Sequence, residues 1–463
     1  MDTKNGMGLY ASLKNLMLQE VPSYANKIFY SLGFLSMTSL ALLILSGLVL
    51  ISFGPDWWLI SRAGLFTRSF HLWAAQAFIF FILLHLLIVF LTSGYKPPRR
   101  LTWVLGALML FFGIAEAEFG YGLRGDFSSQ WRALQASDLY NGSGLGTFVN
   151  NLNYAQIYGI HIILIPLLIL GLLFLHYLLI KARGIAIPFR PETPYRMVRA
   201  NHTVLFLRGA TLTALILVLA FIFPSPLIIP ITIKDVAQDS PALFAATLVS
   251  EMDRTSDTAT YLDNIDPYAY DTRTVYITAP YGHYVQLTGT KDMLSVFNAE
   301  SADAQTKDLQ AAKDYFAQNG SVDAGRSGSS NPVITVVSAL TRMAQSDLYA
   351  AALAQEKANG LDITYESRLL SDTGILEAKA ENLAITTDQY GMLKEESGRT
   401  PGAWWLLPVG ILDHTILAND PNQDRDGAEI LGLLMLLLIA FPYIPYLNRL
   451  PEKIHLDKFI WKN

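Results

Sequence analysis

Apolar and polar positions alternate along this chain in long blocks rather than short ones. Six apolar runs, at about 28–52, 70–93, 101–121, 156–180, 204–224 and 427–447, are each long enough to cross a bilayer as a helix. Between the last two lies a long polar segment, 233–403, with Gly/Ser-rich breaks such as GSVDAGRSGSSNP. Within it TKDLQAAKDYFAQ and ALTRMAQSDLYAAALAQEKA carry helical period, whereas VYITAPYGHYVQLTG reads as a strand pair. The pattern predicts an all-α membrane protein with a mainly helical soluble insert. Its divisions are an amphipathic N-terminal segment 1–27, a four-helix core 28–200, a fifth span within 201–232, the insert 233–403, and a last part 404–463 with the sixth span and a basic tail.

Composition supports this division. The chain is 52% hydrophobic with a mean hydropathy of +0.31. The N-terminus lacks the apolar core and cleavage site of a secretory signal, and its Leu and Met spacing suggests a helix lying on the membrane. Loop charge sets the orientation. Lys96, Arg99 and Arg100, then Lys181, Arg183, Arg190, Arg196 and Arg199, then Arg449, Lys453, Lys458 and Lys462 fall on the side of the N-terminus, which is assigned as cytoplasmic. The insert, whose acidic residues outnumber basic ones roughly two to one, falls outside. An acidic face is ordinarily just solvated, with docking of a basic partner the alternative. Nothing points to nucleic acid. The absence of cysteine excludes disulfides, thiolate-held iron–sulfur clusters and covalently attached c-type haem. His283 is the insert's only histidine, which makes a metal cluster there improbable.

The candidate chemistry lies in the second and fourth spans. His71 and His85 are 14 residues apart, and His161 and His176 are 15 apart. At about 100° per residue, each pair returns to within roughly 40–60° of one face, about 21 Å apart along the axis. A lone intramembrane histidine is as easily an interhelical hydrogen-bonding group as a ligand. Two matched pairs read instead as two stacked bis-histidine haem sites. The first and third spans carry glycines at the same interval, Gly33 and Gly47, then Gly106 and Gly120. Glycine also serves plain helix packing, but in register with the histidines it reads as clearance for a flat macrocycle.

On these residues the sequence resembles the cytochrome b family of quinol–cytochrome c and quinol–plastocyanin reductases, most nearly its chloroplast-type form. VPSYANKIFYSLG, TRSFH, LTSGYKPPRRLTWVLG and FLHYLLIKARGIAIP carry the resemblance strongly over about 20–190. It resumes weakly over about 204–235, with FPSPLIIP, and over about 404–450. The insert has no counterpart in it. The resemblance implies a four-helix dihaem bundle plus two further transmembrane helices, with two non-covalent b-type haems and quinone or quinol as substrate. His71 and His161 would bind the outer haem iron, His85 and His176 the inner one. Arg68 would pair with an outer propionate, and Trp103 with an inner one. An arginine often found at the position of Ile88 is missing, and Ser31 replaces the cysteine that tethers an extra haem.

The resemblance breaks at the outer quinol motif Pro-Glu-Trp-Tyr, where PGAWWLLPVGIL places Trp404 and Trp405 on the Trp-Tyr pair and Ala403 on the proton-accepting glutamate. The third-span exit, GYGLRGDFSSQW, keeps Tyr121, Asp126 and Trp131 but has Arg124 and Gly125 in place of Pro-Trp. Glu116 and Glu118 are candidates for a substitute proton route, or for pairing with an arginine such as Arg124. His414 is a candidate acceptor or a surface histidine. His202, near Arg199, is a candidate for the inner quinone site or a headgroup-level loop residue.

Three functions follow as expectations. One is the cytochrome b subunit of a quinol-oxidising complex in an energy-transducing, prokaryotic plasma membrane. Its partners would be a Rieske-type iron–sulfur protein, a c-type cytochrome, membrane lipids, a second copy in a homodimer, and a separate subunit for the family's remaining C-terminal helices. Another is a haem wire with a closed outer pocket serving a different extracytoplasmic carrier. The last is a scaffold paralogue without haem.

Overall fold

The computed structural model describes residues 18–188, 195–266, 269–319, 322, 329–356 and 361–454. The N-terminal segment 1–17, Arg190, Lys458, Lys462 and most of the GSVDAGRSGSSNP break lie outside the described residues. Six helices are long and apolar enough to cross a membrane: Leu32–Phe53, Arg62–Leu91, Arg100–Gly122, Tyr154–Arg183, His202–Ile222 and Arg425–Tyr443. They match the six expected spans to within a turn or two, the second beginning early. Helices are what a bilayer permits, because each backbone N–H and C=O is satisfied within its own segment. Buried residues make up only 11–33% of their apolar windows, so most of each surface remains apolar and lipid-facing. The second span starts where Ser61 Oγ accepts from Gly64 N at 2.9 Å.

The spans pack in pairs. The first lies along the second, with the fifth against both; the fourth lies along the third, and the sixth also rests on the third. The second and fourth make no extended contact with each other. The basic connections and the insert emerge from opposite ends of the bundle. At the basic end Glu20–Pro22 pairs antiparallel with Met197–Arg199, followed by short 3-10 turns at Ser23–Asn26 and Ile28–Tyr30. The described part of the N-terminal segment is therefore strand and turn, not an amphipathic helix. Pro22 breaks helical hydrogen bonding there, and the chain pairs with the approach to the fifth span instead.

The insert is a bundle of short helices. Pro241–Asp253 (α2, α1 being defined below), Pro332–Gln345 (α3) and Thr364–Asp372 (α4) are among them. Proline opens α3 at a position whose N–H has no helical partner anyway, and Asn331 Oδ1 accepts from Ile334 N at 3.1 Å. Val333, Val336, Val337, Leu340 and Ala344 make its buried stripe. The expected strand pair at 275–289 is instead helix up to its closing glycine, Thr274–Thr278 running into Ala279–Thr288. Val275, Tyr276, Ile277 and Tyr281 all enter the insert core, so tertiary packing overrides the strand preference of these β-branched and aromatic residues.

The insert core also takes in residues from the sequence's four-helix division. Phe127, Trp131, Ala133 and Leu134, on the outer helix Phe127–Gly142 (α1), and Leu152 belong to the same apolar cluster. Conversely, Ala403 and Trp405, which follow the insert, pack with Phe78, Ile79 and Tyr121 of the spans. Phe127 is fully buried, with the Lys379 ammonium 4.4 Å from its ring centre. Phe127→Ala is expected to lower the protection of the insert's amides against hydrogen exchange by about 3–5 kcal/mol. Unchanged protection would show that α1 does not support the insert.

Candidate functional site

Each of the four histidines lies against one of the four glycines. A Cβ added at Gly33 would come 3.3 Å from the His85 ring, and one at Gly47 3.5 Å from His71. On the other helix pair, a Cβ at Gly106 would come 3.6 Å from His176 and one at Gly120 2.8 Å from His161. The glycines are thus level with the histidines, as the matched intervals suggested, but what they make room for directly is the imidazole ring. The unequal intervals are reconciled by backbone geometry. Ile160–Leu164 forms a π-helical turn, which takes up one extra residue relative to α-helix. It abuts Pro166, whose missing N–H weakens the α-helical ladder there.

Hydrogen bonds fix which ring nitrogen carries the proton. Ser46 Oγ donates its single hydrogen to a backbone carbonyl, with Leu42 O at 2.7 Å. It therefore accepts from His71 Nδ1, 2.8 Å away. His161 Nδ1 faces only acceptors, Glu116 O at 3.0 Å and Glu116 Oε1 at 3.1 Å, so it too is the donor. Both rings are left with an Nε2 lone pair, the form that binds a metal. The two ring centres are 6.4 Å apart. With a metal–nitrogen bond of about 2.0 Å and a little over 1 Å from ring centre to nitrogen, two axial imidazoles on one iron stand roughly 6.3 Å apart. The ring centres of His71 and His161 stand at that separation. In the other pair, His85 has His176 as its ionisable neighbour, and the Thr102 backbone lies beside the His176 ring.

Around the outer pair lies a buried charge cluster. Asp126 caps α1 by accepting from Ser129 N at 2.9 Å, and its carboxylate binds both Arg68 and, at 2.8 Å, Arg124. Arg124 also meets Glu395 at 2.5 Å and Glu396 at 3.6 Å, and Tyr121 donates to Glu395 at 2.7 Å. Burial alone would raise the carboxyls, but the Arg124 charge, with Arg132 for Glu395 and Arg68 for Asp126, holds both below the usual range. Glu396 is pushed up to about 7 by burial, against the lowering charge of Arg124, and the Glu395 charge adds to the rise. Sequence reasoning missed both glutamates. The only signal was two adjacent carboxylates in KEESGR, a run that reads as surface loop. The turn in which Glu395 N donates to Thr400 O at 2.8 Å carries them inward.

The remaining candidates are placed as follows. Arg68 is buried, and besides Asp126 it donates to Pro226 O at 2.8 Å; its Nε and Nη1 have no partner, so two donors remain for a carboxylate-bearing group. Trp103 does not keep its indole N–H free. It donates to Leu438 O on the sixth span at 2.8 Å. Glu116 pairs with His161, and Arg132 is the cation acting on Glu118. Neither pairs with Arg124, whose partners are Asp126, Glu395 and Glu396. Ala403 is fully buried beside Trp404, whose indole donates to Gln76 Oε1 at 2.7 Å, while Gln76 donates to Gly402 O at 2.9 Å. His414 places its two ring nitrogens 2.7 and 2.9 Å from Gly410 O and Asp388 O, and these carbonyls raise its pKa. His202 donates to Leu18 O at 2.9 Å. Ser31 accepts from Arg208, and Ile88 packs near Tyr24.

Six apolar helices, four of which set paired imidazoles against glycine backbones, define an all-α membrane protein. Residues 76–233 match the family described as cytochrome b(N-terminal)/b6/petB. The match takes in His85, His161 and His176, starts just after His71, and ends where the insert begins. Cytochrome b6 of Heliobacterium modesticaldum is 29% identical over 205 residues, 40% of this chain and 95% of that protein. The cytochrome b subunit of the cytochrome bc1 complex of Mycobacterium bovis is 34% identical over 173 residues, 34% of this chain but only 32% of that protein. A solved structure described as a hyperthermophilic respiratory Complex III covers 75% of this chain at 16% identity with a TM-score of 0.36.

The glycine contacts generate a graded test. Gly120→Ala would put a methyl group 2.8 Å from His161 and is expected to cost b-type absorbance, while Gly106→Ala, at 3.6 Å, is tolerated. Equal spectra from the two variants would contradict the seating.

Proposed function

We propose that the chain is the cytochrome b subunit of a membrane quinol-oxidising complex, and that it moves electrons across the bilayer through two non-covalent b haems. His71 and His161 hold the outer haem, and His85 and His176 the inner one. Haem supplies one-electron chemistry within a dry helical bundle. The protein's part is to present Nε2 lone pairs, and the observation that carries the reading is the 6.4 Å spacing of the outer imidazoles with both Nδ1 positions locked. The unpartnered donors of Arg68 suit a haem propionate. Trp103 is spoken for by Leu438, so the inner propionate falls to another group.

For the inner quinone we assign the apolar groove of about 350 Å³ between the first, second and fifth spans, where Leu35, Phe81 and Leu212 line the wall and Arg208 supplies the polar end. His202 is the less suitable candidate, since its Nε2 is engaged by Leu18. The basic side is cytoplasmic and the insert extracytoplasmic, in a prokaryotic plasma membrane. A Rieske-type iron–sulfur protein, a c-type cytochrome, a second copy of the chain and a subunit carrying further helices complete the assembly.

A second reading, a haem wire with a closed outer pocket, draws on one observation. At the place of the family's outer motif Ala403, Trp405, Phe78 and Tyr121 are packed together, with no carboxylate on the motif itself. The scaffold reading is disfavoured, because a protein without haem has no use for four histidines seated on four glycines.

A haemochrome assay with redox titration of the purified protein is expected to give two b haems per chain, and His71→Ala and His85→Ala each to remove a different one. A single haem, or none, would defeat the reading. Quinol turnover blocked by outer-site inhibitors supports the bifurcating form; turnover indifferent to them supports the closed wire.

A further inference from the structure

Deep in the insert two carboxyl groups face each other with no cation between them. Glu251, on α2, is fully buried, and its Oε2 accepts from Ser256 Oγ at 2.8 Å. Asp372, at the end of α4, accepts from Thr258 N on Oδ1 at 3.1 Å. The other oxygen of each, Glu251 Oε1 and Asp372 Oδ2, is buried without a hydrogen-bond partner, and the groups that hold the two carboxyls, Ser256 Oγ and Thr258 N, are only two residues apart, which sets the carboxyls side by side where they could bond to each other. Two carboxylates are acceptors only and cannot form that bond. Nor can two like charges at this range both persist away from water. One proton must lie between them.

The neighbours leave no other solution. Thr272 and the phenols of Tyr270, Tyr276 and Tyr349 surround the pair, all neutral. The nearby cation, Arg368, is committed elsewhere. It binds Asp138 on α1 at 2.7 Å and Ser137 at 3.2 Å. α4 therefore has two attachments, one through Arg368 to the outer helix of the membrane core and one through Asp372 to the interior of the insert. A second pair resembles the first: Glu300 Oε2 is buried without a donor, beside the carboxyl of Asp308.

We propose that Glu251 and Asp372 form a proton-held clasp between α2 and α4, fitting the outer domain to an acidic aqueous phase and letting alkaline conditions loosen its grip on the membrane core. Burial, then Asp372, raises the Glu251 pKa from 4.5 to about 10. The folded clasp keeps its proton where the unfolded chain has lost it. Its stabilisation is therefore complete below about pH 4.5 and declines as the pH rises towards 10.

The test is the thermal transition of the insert in the full-length protein in detergent, followed by protease sensitivity between about pH 4 and pH 9. The wild type is expected to melt highest at the acid end and at least about 5 °C lower at the alkaline end. Glu251→Gln replaces the shared proton with an amide hydrogen and should flatten that slope. Asp372→Asn does the same from the other side, and serves if Glu251→Gln does not fold. A wild-type transition that is flat or rises with pH overturns the clasp, as does a variant that keeps the wild-type slope. Because the readout involves neither haem nor quinol, its outcome is independent of the redox function.

Discussion

The membrane half depends on the contact between an imidazole ring and a bare stretch of helix backbone. A histidine inside a bilayer needs one nitrogen satisfied and the other free, and it needs the ring held at a fixed angle. Glycine on the facing helix lets the ring lie almost on the main chain, so that Ser46 and the Glu116 carbonyl reach Nδ1. The helix pairing follows from this. The first span must run with the second, and the third with the fourth, because each supplies the glycines for the other's histidines. The lack of extended contact between the second and fourth spans is a product of that pairing.

At the outer end a different problem is solved. Two arginines and three carboxylates are buried together, an arrangement that is costly unless every charge has an opposite neighbour. Arg124 is the centre of it, touching Asp126 from the third-span exit and Glu395 and Glu396 from the far side of the insert. Where the family resemblance places a glutamate in the tryptophan motif, this chain has a methyl group, while carboxylates arrive from the preceding turn. The acidic groups are not lost from this end of the protein; they have moved along the chain and into an ion-pair network.

Much of this was legible in the residues. Apolar length gave the six spans, and the closely matched intervals of histidine and glycine gave the levels of the site, because both signals are periodic and local. The features that escaped are set by long-range packing. The segment around Tyr276 looks like strand until the insert's core is seen to take its side chains at helical spacing. Glu395 and Glu396 sit in a hydrophilic run whose burial depends on a turn closed by Thr400. Trp103 was assigned a polar ligand, but the approach of the sixth span gives its N–H a carbonyl instead. The extra residue between His161 and His176 is invisible as a π turn unless Pro166 is weighed with it.

The bond from Gln76 to Gly402 joins residues 326 positions apart. Every residue of the insert lies between them, so during synthesis the second span waits for its tryptophan neighbour until the whole insert has been made. Closing so large a loop is entropically slow unless the intervening chain is already compact. The insert thus acts as a spacer that must collapse before the final crossing can dock, which makes the seating of that last helix a report on whether the insert folded.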